Sequence, residues 1–240
     1  MKRIGIIGAM EIEVSLLKDM MTAPGCKSEI SVTKSGGLEY FEGFINGVQI
    51  VVVKSGVGKV NAALCAQFLI LHFGVTHIIN TGIAGAMAHG LGVLDFVVST
   101  DAVYHDMDVT GFGYKPTQIP QMKVSCFAAD TKMIQTVQKC FPEIPEAAGH
   151  KLIAGRIASG DQFIADKKIK EHIRQICSPA CVEMEGAAIA HTAFLNSTPF
   201  IIIRCMSDEA DDNNESVSAF NEPQAAALSA KIVAAVIKNI

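Results

Sequence analysis

Carboxylates gather at three places where an apolar run of the 240-residue chain gives way to small or polar residues. These are Gly5-Ile6-Ile7-Gly8-Ala9-Met10-Glu11-Ile12-Glu13, then Val182-Glu183-Met184-Glu185-Gly186-Ala187, and Ile201-Ile202-Ile203-Arg204-Cys205-Met206-Ser207-Asp208. An acid beside a buried apolar segment costs free energy unless it is paired or put to use. Acids brought together from separate segments can supply a general acid and a general base, each typically worth ~10²–10⁴ in rate. The plainer reading, acids at helix starts that satisfy the dipole, accounts for one or two of these places. It accounts for three less well. Side chains two apart on a helix point ~200° from each other, so only one of Glu11 and Glu13 should face a given pocket.

The elements that would position these acids are legible from periodicity. Residues 3–7 read as a buried strand broken by Gly8, and 10–21 follow helical spacing with Val14, Leu17 and Met21 on one side. Residues 41–45 and 48–53 flank Asn46-Gly47, a strong hairpin signal. Helices are expected over 59–73, 130–140, 167–176, 186–196 and from Pro223 to about residue 238. Strands are expected over 76–81 (closed by Gly82), 95–100, 152–159, 181–183 and 200–206, with an irregular segment over 104–114. Strands alternating with helices predict an α/β fold with a largely parallel sheet and an antiparallel hairpin insertion. No repeat or linker divides residues 1–240, so one domain is expected. In such sheets ligands bind beyond the carboxyl ends of strands, where all three acid clusters fall.

Other motifs support plainer readings. The first strand and helix have Gly5-x-x-Gly8 but lack the third glycine of a dinucleotide fingerprint, and acids at the helix start would repel a pyrophosphate. Ser55-Gly56-Val57-Gly58-Lys59-Val60 resembles a phosphate loop, yet Val53 and Val60 occupy two of its fixed positions. A strand-to-helix turn with close backbone approach fits better. His105-Asp106-x-Asp108 and the acids after Asp208 fit hydrogen-bonded or solvated loops better than metal sites, and Met10 and Met184 taken alone are core fillers.

Composition narrows the class. Half of the residues are hydrophobic and mean hydropathy is +0.33, yet no apolar run reaches the ~18 residues of a membrane span. The surplus points to a filled core and a subunit interface. A net charge of −4 without a basic cluster gives no footprint for nucleic acid. Seven scattered cysteines read as reduced thiols, and with no signal-peptide pattern at the start the expected compartment is the cytoplasm.

Seven stretches together resemble the bacterial 5'-methylthioadenosine/S-adenosylhomocysteine nucleosidases of the nucleoside phosphorylase superfamily: GIIGAMEIEV (5–14), KSGVGKVNAA (54–63), INTGIAG (79–85), YHDMDVTGFGY (104–114), SGDQFI (159–164), VEMEGAAIAH (182–191) and RCMSDEAD (204–211). The resemblance implies a three-layer α/β/α sandwich around a mixed, barrel-like sheet, a homodimer, and no metal or organic cofactor. It implies hydrolysis of the N-glycosidic bond to adenine and a 5-thio-substituted ribose, with 5'-deoxyadenosine as a further substrate. By the same resemblance Glu13 is the base, Asp208 the acid at adenine N7, and Glu185 the holder of the ribose hydroxyls. Met184 packs on the sugar, Phe163 and the Ile164 backbone clamp adenine, Arg204 lies near the attacking water, and Met10, Ile83 and Phe220 complete the pocket. Phe112, Tyr114 and Pro120 are expected to reach the 5' substituent from a partner subunit. Glu183 reads as structural support.

Two departures stand out. Ile83 stands where the family often has a small hydroxyl residue, and Ala86 where a glycine is common. A hydroxyl at position 83 would help to orient Asp208, so these changes predict a less well-held acid. The alternatives are a phosphorylase of the same fold, in which Glu13 would sit beside a phosphate dianion and repel it, and a nucleoside-binding protein without catalysis.

Overall fold

Period-two alternation in the Ile- and Val-rich runs sends side chains to both faces of a sheet, and each face is covered by helices. The computed structural model describes residues 2–22, 30–208 and 221–240. In chain order the elements are β1 (Arg3–Gly8), α1 (Glu11–Asp19), β2 (Ser31–Ser35), β3 (Leu38–Ile45), β4 (Val48–Lys54), α2 (Lys59–Phe73), β5 (His77–Ala86), β6 (Phe96–Tyr104), β7 (Cys126–Ala128), α3 (Thr131–Cys140), β8 (Leu152–Ser159), α4 (Lys167–Cys177), β9 (Cys181–Glu183), α5 (Gly186–Leu195), β10 (Phe200–Asp208) and α6 (Glu222–Val236).

The sheet is mixed. Strand β1 lies between β4 and β5, parallel to both, and β3 and β2 extend it antiparallel through the hairpin at Asn46-Gly47. Beyond β5 the strands β10, β6, β8 and β9 follow in turn, and β9 returns to β5, so five strands close into a barrel. Closure depends on the length of β5. Its first residues pair with β1, while Gly85 and Ala86 pair with Val182 and Cys181 of β9. The α/β/α sandwich with a barrel-like mixed sheet is therefore the observed architecture.

Ile4, Ile6, Ile50, Val52 and Ile203 face one layer with Val14 and Leu17 of α1, Met133 and Val137 of α3, and Ile232 and Val233 of α6. Ile7, Val51, Val53 and Ile202 face the other, against Leu69 and Phe73 of α2 and Ala187 and Ile189 of α5. Each fully buried Val, Leu or Ile contributes roughly 1.5–3 kcal/mol relative to exposure, so both layers hold the barrel's strand ends in place.

Three sequence expectations change. Strand β5 does not close at Gly82 but runs on to Ala86. Gly82, at φ 155°, is needed for space: a Cβ there would collide with Arg204 Nη1 and Glu13 Oε1. Strand β10 likewise continues to Asp208, with a bulge between Met206 and Asp208. Two strands were not expected, β2, a half-exposed polar edge, and β7, only three residues long, because neither carries an apolar alternation strong enough to read.

Candidate active site

Residues after the end of β1, at and after the end of β9, in the last part of β5 and at the end of β10 line one cavity of about 620 Å³, counting its open mouth. Its walls include Met10, Glu13, Ile83, Phe163, Glu183, Met184, Glu185 and Asp208, together with Val57, Ser207 and Glu222. An adjoining smaller hollow shares Phe163, Met184 and Asp208 and adds Gln162 and Ile164.

Helix α1 starts where β1 ends, and Glu13, third in the helix, turns back over that start. The Ala9 and Met10 N–H groups donate to Glu13 Oε2 at 2.6 and 2.9 Å, and the Ile83 N–H donates to Oε1 at 3.0 Å. This is the backward reach of a capping glutamate, here 2% exposed. Burial pushes the Glu13 carboxyl up, against the opposing pull of Arg204 and the three backbone donors. Glu11 points away, pairing with Lys18 at 2.7 Å and Lys54 at 3.5 Å.

The turn from β9 into α5 uses two acids differently. Glu183 accepts from the Glu185 and Gly186 N–H groups at 3.0 and 2.8 Å, satisfying donors at the start of α5, and contacts Ser159 Oγ and Arg204 Nη2. Glu185 accepts from the Gly58 N–H at 2.9 Å. Gly58 has φ 97°, a left-handed conformation that favours glycine, and this lets the turn before α2 bring its N–H across. Burial, reinforced by Glu183 and opposed by Arg204, pushes the Glu185 carboxyl up to about 7.

Arg204 is 1% exposed and does not line the cavity. Its guanidinium donates to Asn80 Oδ1 at 2.6 Å and to the Thr81 carbonyl at 3.3 Å, and lies 3.8 Å from Glu185. Burial works against its charge, but Glu183, Glu185 and Glu13 more than offset this and hold it above its ordinary value. A single buried cation thus lies among three carboxylates, in direct contact with Glu183.

Asp208 sits at the end of β10, where the Ser207 hydroxyl reaches its Oδ2 at 2.9 Å. Alternation along a regular strand would send Ser207 and Asp208 to opposite faces; the bulge brings them together. A hydroxyl at position 83 was expected to help hold Asp208; here the Ser207 hydroxyl is one group that holds it. Ile83 offers its backbone N–H to Glu13 and packs its side chain on the α1–α6 layer. Ala86 lies in the β5–β9 pairing, away from the cavity wall.

Phe163 is exposed and Ile164 buried, side by side at the cavity edge. Phe112 is 85% exposed, and neither it nor Tyr114 or Pro120 lines this chain's own cavity. Phe220 lies outside the described residues. Sequence reading passed over Ser207, Ser159, Asn80 and Glu222. Serines and asparagines are too common for residue type to mark them, and the bulge that pairs Ser207 with Asp208 shows only in the folded strand.

A closed five-stranded barrel inside an α/β/α sandwich, with carboxylates gathered around one cavity, has the architecture of the nucleoside phosphorylase-like class. The profile of the phosphorylase superfamily matches residues 3–238, and the chain belongs to that family. A 5'-methylthioadenosine/S-adenosylhomocysteine nucleosidase of Treponema pallidum (strain Nichols) is 38% identical, over 99% of this chain and 93% of its own length. One from Staphylococcus carnosus (strain TM300) is 41% identical, over 99% and 100%. The crystal structure of the Neisseria meningitidis enzyme of that name, in complex with methylthio-immucillin-A, superposes with a TM-score of 0.90 at 37% identity, covering all of both chains.

Proposed function

We propose that the protein hydrolyses the N-glycosidic bond of 5'-methylthioadenosine and S-adenosylhomocysteine, and also of 5'-deoxyadenosine, releasing adenine and the 5-substituted ribose. The observation that carries this reading is the charge of the cavity wall. Five acids line it, Glu13, Glu183, Glu185, Asp208 and Glu222, and its described lining residues include no lysine or arginine. Residues 209–220, which follow Asp208, contain no basic residue either. Phosphate attack would need a cation where the nucleophile enters; water needs only a base.

In this reading Glu13 takes the proton of the attacking water, and its raised proton affinity suits that task. Asp208, oriented by Ser207, donates to N7 so that adenine leaves neutral. As the C1'–N9 bond breaks, the sugar gains oxocarbenium character, which Glu13 and Glu185 stabilise electrostatically. Glu185 also holds the ribose hydroxyls, Met184 and Met10 pack on the sugar, and Phe163 and the Ile164 backbone clamp the base. Ile83 positions Glu13 through its N–H, and Arg204 acts through the carboxylates from behind the wall. Base and acid on opposite sides of the scissile bond follow the logic of inverting glycosidases.

The reading extends to the assembly. Val60, Leu64 and Leu71 of α2, Leu195 of α5, and Phe112 are large apolar side chains at least 66% exposed. Exposed apolar groups on adjoining helices favour association, and a homodimer would bring Phe112, Tyr114 and Pro120 of a second copy to the open mouth. One catalytic domain spanning 1–240 and a cytoplasmic setting complete the proposal. Among the described residues no helix is long and apolar enough to cross a membrane. The test is the rate of adenine release from a nucleoside panel with and without phosphate: hydrolysis predicts equal rates, and a rate that rises from zero with phosphate would overturn it.

A further inference from the structure

Four ionisable side chains meet at the cavity wall and behind it, and only one of them is a cation. Arg204 touches Glu183 directly and reaches Glu185 only at 3.8 Å. Glu183 is also fixed without Arg204. The Ser159 hydroxyl donates to its Oε1, the N–H groups that open α5 donate to Oε2, and the side chain is 3% exposed. Ser159 is itself held by the Ala187 N–H at 2.7 Å. Glu183 is therefore anchored as the nearest partner of the cation.

We propose that Glu183 is a positioning residue for glycosidic cleavage: by anchoring Arg204 and the first turn of α5, it keeps the cluster's only cation from neutralising Glu13 and Glu185. The proposal rests on the nucleosidase reading for its catalytic consequence, though its electrostatics do not. An undivided arginine beside a carboxylate lowers its proton affinity by about one to three pH units. With Arg204 committed to Glu183, Glu13 remains basic enough to take a proton, and uncompensated negative charge is left facing the cationic sugar of the transition state. Burial and Glu183 act in the same direction on Glu185. Among the described residues the other ionisable groups facing the cluster are Cys181 on β9, His105 beyond β6, Asp208 at the end of β10 and Glu222 at the start of α6.

The test uses full-length protein carrying ¹³C-labelled glutamate carboxyls, with the Glu185 resonance assigned through Glu185→Gln. In the wild type Glu185 should titrate near about 7. In Glu183→Gln its midpoint should fall by about one pH unit or more, because the neighbouring Glu183 charge is gone and Arg204 then turns to it. The acid limb of kcat/KM for methylthioadenosine should move the same way. A purely structural role would lower kcat at every pH and move neither. If Glu183→Gln does not fold, Glu183→Asp, whose shorter side chain withdraws from Arg204, should show a smaller fall. A Glu185 midpoint that stays or rises in a folded variant, or an ordinary glutamate midpoint in the wild type, overturns the proposal. Absence of adenine release by the wild type would defeat the nucleosidase reading alone, since the resonance still reports the charge sharing.

Discussion

At the scale of residues, each acid is defined by its donors rather than by its neighbours in sequence. Glu11 and Glu13 are two apart, yet one faces lysines at the surface while the other gathers three backbone N–H groups. Glu13→Gln and Asp208→Asn should each lower kcat at least ~10²-fold in steady-state assays; near-normal turnover in either would remove that residue from its role. Ser207→Ala should cost about tenfold in kcat, the worth of one hydrogen bond of ~1–1.5 kcal/mol, whereas Ile83→Ser should change it little. The reverse order would show that position 83, and not Ser207, orients the acid. The helical angle between positions 11 and 13 let the sequence show that only one faces the pocket. It could not show Ser207 beside Asp208, because a bulge reverses the alternation on which a strand reading depends.

At the scale of elements, strand ends and the turns after them carry the site, and small residues decide how closely they approach. The strand-gly-helix junction after β1, the glycine turn before α2 and the acid turn before α5 were all legible, because Gly8, Gly58 and Gly186 punctuate apolar runs. The length of β5 was not. Gly82 reads as a break in one dimension, and only the packing shows that it clears room for Arg204 and Glu13. Gly82→Ala should therefore depress Tm, with a cost of the ~1–3 kcal/mol typical of overpacking, and reduce kcat as well, since both displaced groups serve the cluster. A variant with wild-type Tm and turnover would show that the strands can part to accept the methyl group. Barrel closure was equally hidden, since β9 contributes only three residues and its return to β5 is a long-range pairing.

At the scale of the whole molecule, the excess of apolar surface and the buried negative charge have separate consequences. The first predicts a dimer of about twice 25.5 kDa in sedimentation, and Leu64→Glu on the exposed face of α2 should shift it to monomer and weaken substrate binding. A dimer that survives this change would place the interface elsewhere. The second predicts a pH dependence of stability. Burial raises both Glu13 and Glu185, the latter from 4.5 to about 7, so the folded chain holds protons that the unfolded chain has released. Stability from these groups is fully present below about pH 4.5 and is lost as pH rises through about 7. Thermal melts should show Tm falling across that window relative to Glu185→Gln, and parallel curves would contradict the charge assignment. The central claim is that water, not phosphate, attacks the sugar in a cavity walled by acids. The most direct measurement is mass spectrometry of the sugar released from methylthioadenosine in phosphate buffer. Free 5-methylthioribose alone is the predicted product, and 5-methylthioribose 1-phosphate would contradict the account.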